Sequence, residues 1–215
     1  SEIATGEYTT DITITATDAR GNSTVVTEIL VVDTVAPVAD IATVETDDVI
    51  NAAESTDGVV LSGAGEAGST VQVEFQGLSQ QLTVAADGTW AANFAASDIA
   101  QGTYDSTITV TSTDSYGNTS TISKTVHVDT DGLATLDTPI EGDNVMNAVE
   151  HADGVTLTGT SEAGSSVVVT MAGITHTVVA DSSGNWTVDF TSAEIPGGDY
   201  DTTVQVSATD AAGNV

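Results

Sequence analysis

The sequence contains no cysteine, only two cationic side chains and few aromatic residues. The absence of cysteine excludes disulfides, thiolate zinc sites and cysteine nucleophiles. Arg20 and Lys124 stand against 32 acidic residues, which gives a formal net charge of −30. A nucleic-acid-binding protein neutralises phosphates with lysine and arginine, so this class is excluded. An anionic membrane surface would repel the chain, and no apolar run approaches the ~20 residues of a membrane-spanning helix.

What the sequence does contain is enough apolar residues to form a core. Hydrophobic residues make up 40% of the 215 positions and aromatic residues 4%, so valine, isoleucine, leucine and alanine must supply most of that core. The chain carries no G-x-S-x-G elbow, no P-loop and no H-E-x-x-H motif. We therefore expect no enzymatic activity.

Identical residues recur at an offset of 96 positions along the whole chain. Recurring sets include Tyr8/Tyr104/Tyr200, Asp18/Asp114/Asp210, Asn22/Asn118/Asn214 and Trp90/Trp186. The segment TDARGN recurs as TDSYGN and TDAAGN, and GVVLSGAGEAGS recurs as GVTLTGTSEAGS. We predict that 1–33 is the C-terminal part of a preceding repeat, that 34–129 is a complete repeat, and that 130–215 is a repeat without its last strand. The chain is expected to be a slice of a longer repetitive protein.

Alternating apolar and polar residues predict β strands in each repeat. The segments TDITITA, STITVTS, TVQVEFQ and TWAANF show the period of two that is typical of half-buried strands. About seven strands per repeat predict an all-β fold of tandem immunoglobulin-like β-sandwiches. Tyr104 and Tyr200 are interpreted as tyrosine corners, with plain core tyrosines as the alternative, and Trp90 and Trp186 as core residues. The best helical candidate is a single turn at NAAE, residues 51–54.

Several segments resemble the bacterial Ig-like repeats of giant surface adhesins, the biofilm-associated-protein type exported by type I secretion. They are the linker VDTVAP, the segment DDVINAAE with its copy DNVMNAVE, the turns GEAGS and SEAGS, and TDxxGN before the last strand. The resemblance covers the whole chain. It implies an extracellular protein, on the bacterial cell surface or in the biofilm matrix, with many tandem copies stiffened by calcium at the domain junctions. The linker VDTDGLATLDTP of the third repeat departs from this pattern.

Recurring acidic residues fall where successive Ig-like repeats are expected to meet. Clustered carboxylates need a counter-charge, and Ca²⁺ accepts six to eight hard oxygen ligands, whereas Mg²⁺ requires stricter octahedral geometry. Zinc would require histidine or cysteine in a cluster. We therefore predict Ca²⁺ at the junctions, with a merely solvated acidic surface as the alternative. The predicted metal ligands are Asp33, Asp47, Asp48, Asn51, Glu54, Asp57, Glu66, Asp114, Asp129, Asp131, Asp143, Glu150, Asp153, Glu162 and Asp210.

These features predict a structural spacer of a secreted adhesin or biofilm-matrix protein, a rod whose partners are neighbouring repeats of the same chain. One alternative is a subunit of a self-assembling filament or surface layer. In that case residues 23–32 of another copy would supply the strand that the third repeat lacks. A second alternative is a glycan- or protein-binding module, which variable, aromatic-rich loops would favour. We expect no nucleic-acid partner and no membrane insertion of this segment.

Overall fold

The computed structural model describes residues 3–215, which form β strands joined by tight turns and two short α-helices. The strands are β1 (Glu7–Thr17), β2 (Ser23–Asp33), β3 (Val49–Asn51), β4 (Val59–Ala64), β5 (Thr70–Phe75), β6 (Leu78–Thr83), β7 (Thr89–Phe94), β8 (Thr103–Thr113), β9 (Thr119–Asp129), β10 (Val155–Thr160), β11 (Ser166–Met171), β12 (Ile174–Val179), β13 (Asn185–Phe190) and β14 (Val204–Thr209). The helices are α1 (Ala52–Asp57) and α2 (Ala148–Asp153), and single 3-10 turns lie at Ala96–Asp98 and Ile140–Gly142. The all-β prediction is confirmed.

The described residues divide into two compact units. Unit 1 comprises the described residues up to Asp48 together with Gly58–Asp98 and Ser106–Val126. Unit 2 comprises Val49–Asp57, Ile99–Asp105 and His127–Val215. The repeat boundaries at 33/34 and 129/130 were derived from sequence periodicity alone, and they stay a prediction.

Unit 1 contains a long hairpin and a two-layer core. Strands β1 and β2 pair antiparallel over their full length, and most of their side chains are exposed. In the second part, β4 pairs with β7, while β5 lies between β6 and β8 in the other layer. Side chains on β5 alternate between buried and exposed, as the sequence pattern predicts. The ring of Phe75 on β5 meets that of Phe94 on β7 edge-on at 5.3 Å, which joins the two layers.

Unit 2 contains the same arrangement of two layers in its C-terminal part. Strand β10 pairs with β13, and β11 lies between β12 and β14. Between the two layers lies a core that includes Leu157, Val169, Trp186 and Phe190. One edge of β14 pairs with β11, and within residues 3–215 no strand pairs with its other edge.

A short parallel pair also belongs to unit 2. Strand β3 runs alongside the end of β9, with Val49 opposite His127, Ile50 opposite Val128 and Asn51 opposite Asp129. Ile50 and Val128 are fully buried. This pairing positions the start of α1 next to the residues that follow β9.

Two kinds of aromatic residue behave as predicted. The Tyr104 hydroxyl donates to the Ala100 carbonyl and the Tyr200 hydroxyl to the Pro196 carbonyl, each at 2.7 Å, so both tyrosine corners are confirmed. Trp90 and Trp186 are buried, which confirms them as core residues. The backbone beside each tryptophan has room only for glycine: a Cβ on Gly159 would overlap the carbonyl oxygen of Thr135 and the ring of Trp186.

The predicted helical turn at 51–54 lies inside a slightly longer helix, α1, which begins at Ala52 and ends at Asp57. No helix among the described residues is long and apolar enough to cross a membrane. The sequence contains one G-x-G-x-x-G motif, at 63–68. It runs from the end of β4 into the turn before β5 and opens no helix, so it lacks the setting of a dinucleotide site.

Candidate metal centre

Three acidic residues that are distant in sequence come together in unit 2. Asp129 is the last residue of β9, Glu162 follows β10, and Asp210 follows β14. One carboxylate oxygen from each lies within 4.8 Å of the other two, and we call these residues the Asp129 cluster. Asp129 is buried, and Glu162 and Asp210 are half-buried. Among residues 3–215, no other group of three acidic, histidine or cysteine side chains meets this geometry.

Hydrogen bonds hold two members of the Asp129 cluster in place. The Thr103 hydroxyl, at the start of β8, donates to Asp129 Oδ1 at 2.9 Å. Asp210 opens a tight turn in which its Oδ1 accepts the Asn214 backbone N–H at 2.9 Å and its Oδ2 accepts the Asn214 side-chain amide at 2.7 Å. The same amide group donates to the Asp129 backbone carbonyl at 2.9 Å. Asn214 thus fixes two cluster members relative to each other.

The electrostatics of the Asp129 cluster are unfavourable without a cation. Burial, and then the charges of Asp129, Asp210 and Asp131, raise the pKa of Glu162 above its usual range. Two unit charges 4.8 Å apart repel by about 3.5 kcal/mol at an effective dielectric of 20 and by ~0.9 kcal/mol in water. Arg20 and Lys124 both belong to unit 1, so no lysine or arginine of unit 2 offsets this repulsion.

The donor set fits a hard divalent cation. Three carboxylates and nearby Asp131 supply oxygen ligands only, and no histidine or cysteine joins the Asp129 cluster. Such sets suit Ca²⁺, which tolerates irregular geometry and completes its shell with backbone carbonyls and water. They do not suit Zn²⁺, which prefers nitrogen and sulfur.

The counterpart residues in unit 1 are arranged differently. Residues 96 positions earlier are Asp33, Glu66 and Asp114, which do not form a cluster of this kind among the described residues. The turn itself is conserved in geometry: Asp114 accepts the Asn118 N–H and side-chain amide, and Asn118 also donates to the Asp33 carbonyl at 3.3 Å. Burial alone would raise the pKa of Asp114, yet hydrogen bonds from Asn118 and neighbouring backbone groups outweigh it and lower that pKa.

Several other predicted ligands have local structural roles. Glu54 accepts the Asn51 N–H and Asn51 accepts the Glu54 N–H, both at 3.0 Å, which is a capping box at the start of α1. Asn147 and Glu150 form the same capping box on α2. These capping boxes explain why N-A-x-E recurs, and neither glutamate belongs to the Asp129 cluster. Their assignment as metal ligands stays a prediction.

The remaining predicted ligands also lie outside the Asp129 cluster. Asp48 forms an ion pair with Lys124 at 2.6 Å, and Asp47 precedes it in the chain. Asp57 and Asp153 are the last residues of α1 and α2. Asp143 Oδ1 accepts the Val145 N–H at 2.9 Å, which caps a local turn.

Sequence reasoning missed the role of Asn214. Its Oδ1 accepts the Ala52 N–H at 2.7 Å, across 162 positions of sequence, in addition to the contacts described above. The available signal was the recurrence of Asn22, Asn118 and Asn214 four positions after a recurring aspartate. Recurrence alone marks an asparagine as part of the repeat and does not indicate a site.

Comparison with known proteins gives a family match. A family model described as a bacterial Ig domain matches residues 47–129 and 143–215. Among solved structures, the chain is similar to a 1.5-MDa bacterial ice-binding adhesin, with 29% identity over 96% of this chain and 70% of that chain (TM-score 0.49). It is also similar to a Ca²⁺-stabilized adhesin of an Antarctic bacterium, with 28% identity over 93% of this chain and 55% of that chain (TM-score 0.42).

A third similar structure is a bacterial immunoglobulin-like domain of the M. primoryensis ice-binding adhesin. Identity is 34% over 44% of this chain and 97% of that chain (TM-score 0.35). No curated protein matches the chain.

Proposed function

Because the chain belongs to the bacterial Ig domain family, we propose that it is a spacer segment of a secreted bacterial adhesin, stabilised by Ca²⁺ at the Asp129 cluster. Its two matched segments follow one another as tandem Ig-like domains. In this proposal the chain lies outside the bacterial cell, at the surface or in the biofilm matrix, and its partners are neighbouring repeats. It has no catalytic role.

The Asp129 cluster carries the calcium part of the proposal. Asp129 ends β9 and the second predicted repeat, and the third predicted repeat, which begins at residue 130, contributes Glu162 and Asp210. A cation held by all three would join the end of one predicted repeat to two turns of the next. Bound Ca²⁺ would attract each of the three carboxylates and so offset their mutual repulsion.

The expected strength of the site is modest. Extracellular calcium modules bind with dissociation constants of about 10⁻⁴–10⁻³ M. At a calcium concentration tenfold above the dissociation constant, one site adds about 1.4 kcal/mol to the free energy of unfolding. The effect on spacer function would come mainly from restricting motion between repeats at the residues that follow β9.

The proposal is tested on the full 215-residue chain. Isothermal titration calorimetry should detect Ca²⁺ binding that Asp129→Asn weakens at least tenfold, because that variant removes a buried ligand charge. Asp33→Asn, its counterpart one repeat earlier, controls for the loss of one charge at the end of a hairpin strand. Small-angle scattering should show a narrower range of particle dimensions with millimolar calcium than with chelator. Calcium binding and scattering that are both unchanged in Asp129→Asn would contradict the proposal.

Self-assembly by strand exchange is the second candidate function. A groove of about 520 Å³ lies in unit 2, lined by Met146, Met171, Tyr200 and Val204 among others. Met146 corresponds to Ile50, which in the preceding repeat lies opposite Val128 of β9. In this second candidate function, β2 of another copy would pack in the groove, beside Met146.

Charge favours the spacer over this second candidate. Strand β2 carries Glu28 where β9 carries Lys124, and the groove is bordered by Glu141, Asp199 and Asp201. Like charges would oppose insertion of β2. Light scattering after size-exclusion chromatography distinguishes the two functions: a mass that grows with concentration supports strand exchange, whereas a constant monomer mass supports the spacer.

A further inference from the structure

The side chain of Asn214 connects three segments of unit 2. Its amide group donates to the Asp129 carbonyl at 2.9 Å and to Asp210 Oδ2 at 2.7 Å. Its Oδ1 accepts the Ala52 N–H at 2.7 Å. The orientation of the side-chain amide is fixed by its partners, because Ala52 N–H can only donate and the two aspartate oxygens can only accept. Asn214 is only 5% exposed, so water does not compete for these bonds.

The contact with Asn214 gives the Ala52 N–H an acceptor that the helix itself cannot supply. Ala52 is the first residue of α1, and the first N–H groups of a helix have no partner within it. The capping box of α1 satisfies the Glu54 N–H through Asn51, and Asn214 satisfies the Ala52 N–H. The start of α1 is thus tied to the turn that presents Asp210.

Internal copies of the turn show what is particular to this position. Asn22 donates to Asp18 within its own turn, and Asn118 adds a longer bond of 3.3 Å to the Asp33 carbonyl. Among the described residues, only Asn214 makes the turn contact, the contact to the strand-ending aspartate and the contact to a helix start.

We propose that Asn214 is the positioning residue of the Asp129 cluster and couples that cluster to the start of α1. The first part rests on the proposed calcium site; the tie to α1 does not. Residues that orient metal ligands typically change metal affinity by 10- to 100-fold when they are removed. Asn214 orients Asp210 through its carboxylate and Asp129 through its backbone carbonyl, so both ligands lose a fixed partner when the amide is lost.

The test combines calcium affinity with amide hydrogen exchange. Asn214→Ala should raise the calcium dissociation constant 10- to 100-fold and speed exchange of the Ala52 N–H at least tenfold, including in chelator. Asn22→Ala removes the equivalent turn bond only, and it should leave both quantities within about twofold. Unchanged Ala52 exchange in Asn214→Ala would overturn the proposal.

Two proline variants keep the test decisive if Asn214→Ala does not fold. Ala52→Pro removes the donor to Asn214, and proline is tolerated at the first position of a helix. It should raise the calcium dissociation constant about threefold or more and speed exchange of the Asn214 side-chain amide protons. Ala148→Pro, at the first position of α2, is the matched control and should change neither. If Ala52→Pro changed neither the calcium dissociation constant nor the exchange of the Asn214 side-chain amide protons, the coupling between the Asp129 cluster and α1 would be overturned.

The outcomes separate this inference from the proposed function. A wild-type chain that binds no calcium would refute the calcium site, and Ala52 exchange would still decide whether Asn214 ties α1 to the turn. Calcium binding that is unaffected by Asn214→Ala would leave the site in place and refute the positioning role.

Discussion

Replacing Glu162 with glutamine should stabilise the chain in chelator and reduce the stabilisation that calcium adds. The substitution keeps the size of the side chain and removes one of three charges whose oxygens lie within 4.8 Å of one another. Without calcium, each of the two repulsive pairs that involve Glu162 costs between ~0.9 kcal/mol in water and about 3.5 kcal/mol at a dielectric of 20. Because Glu162 is half-buried and partly screened, we take the lower value for each pair.

The chelated variant should therefore be about 2 kcal/mol more stable than the chelated wild type. For a domain of the size of one 96-residue repeat, a difference of about 2 kcal/mol raises the melting temperature by roughly 10 °C. Calcium at ten times the wild-type dissociation constant should stabilise the wild type by about 1.4 kcal/mol and the variant by much less, because one ligand charge is missing.

Thermal unfolding by calorimetry or circular dichroism, in chelator and in millimolar calcium, measures both differences. Asp201→Asn removes one negative charge from an exposed position of the same predicted repeat and controls for net charge. A chelated Glu162→Gln chain that is less stable than wild type would refute the repulsion argument. Equal stabilisation of both chains by calcium would remove Glu162 from the ligand set.

Three further predictions follow from the structure. Folding raises the pKa of Glu162, so its ionised carboxylate destabilises the fold in chelator. The stability gap between Glu162→Gln and wild type should therefore close as the pH falls through the raised pKa of Glu162, and calcium affinity should fall over the same range. Titrations of unfolding and of calcium binding against pH check both expectations. Gly159→Ala should lower the free energy of unfolding by about 1–3 kcal/mol in urea denaturation, because the added methyl group would overlap Thr135 and Trp186; an unchanged midpoint would contradict the overlap. Asn147→Ala should cost about 1 kcal/mol in the same assay through loss of the α2 cap, and a calcium affinity equal to that of wild type would support a purely capping role.

The periodic features of the fold could be read from the sequence, and the family match confirms the predicted resemblance to bacterial Ig-like repeats. A gapless 96-residue offset aligns every turn with its copies, and alternation of apolar residues identifies strands such as β5 because one face of each is buried. The tyrosine corners were also predictable, since the hydroxyl of each reaches a carbonyl only four positions away.

The candidate site could be predicted only in part. Residue type and recurrence identified many acidic residues at turns, but several of them accept local backbone N–H groups, as Glu54 does in its capping box. Which carboxylates meet depends on packing between strands that are far apart in sequence. The Asn214–Ala52 contact spans 162 positions, and the three-residue pairing of β3 with β9 is too short to leave a periodic signal.

The parallel pairing of β3 with β9 has a mechanical consequence for a spacer under tension. When the two ends of the repeat predicted over 34–129 are pulled apart, β3 is drawn toward its N-terminal end and β9 toward its C-terminal end. Since the two strands are parallel neighbours, these forces act along the strands in opposite directions. The hydrogen bonds between them are then loaded together in shear and do not open one after another like a zipper. The buried side chains of Ile50 and Val128 would have to slide past one another before the repeat could extend, so we expect this small patch to resist extension.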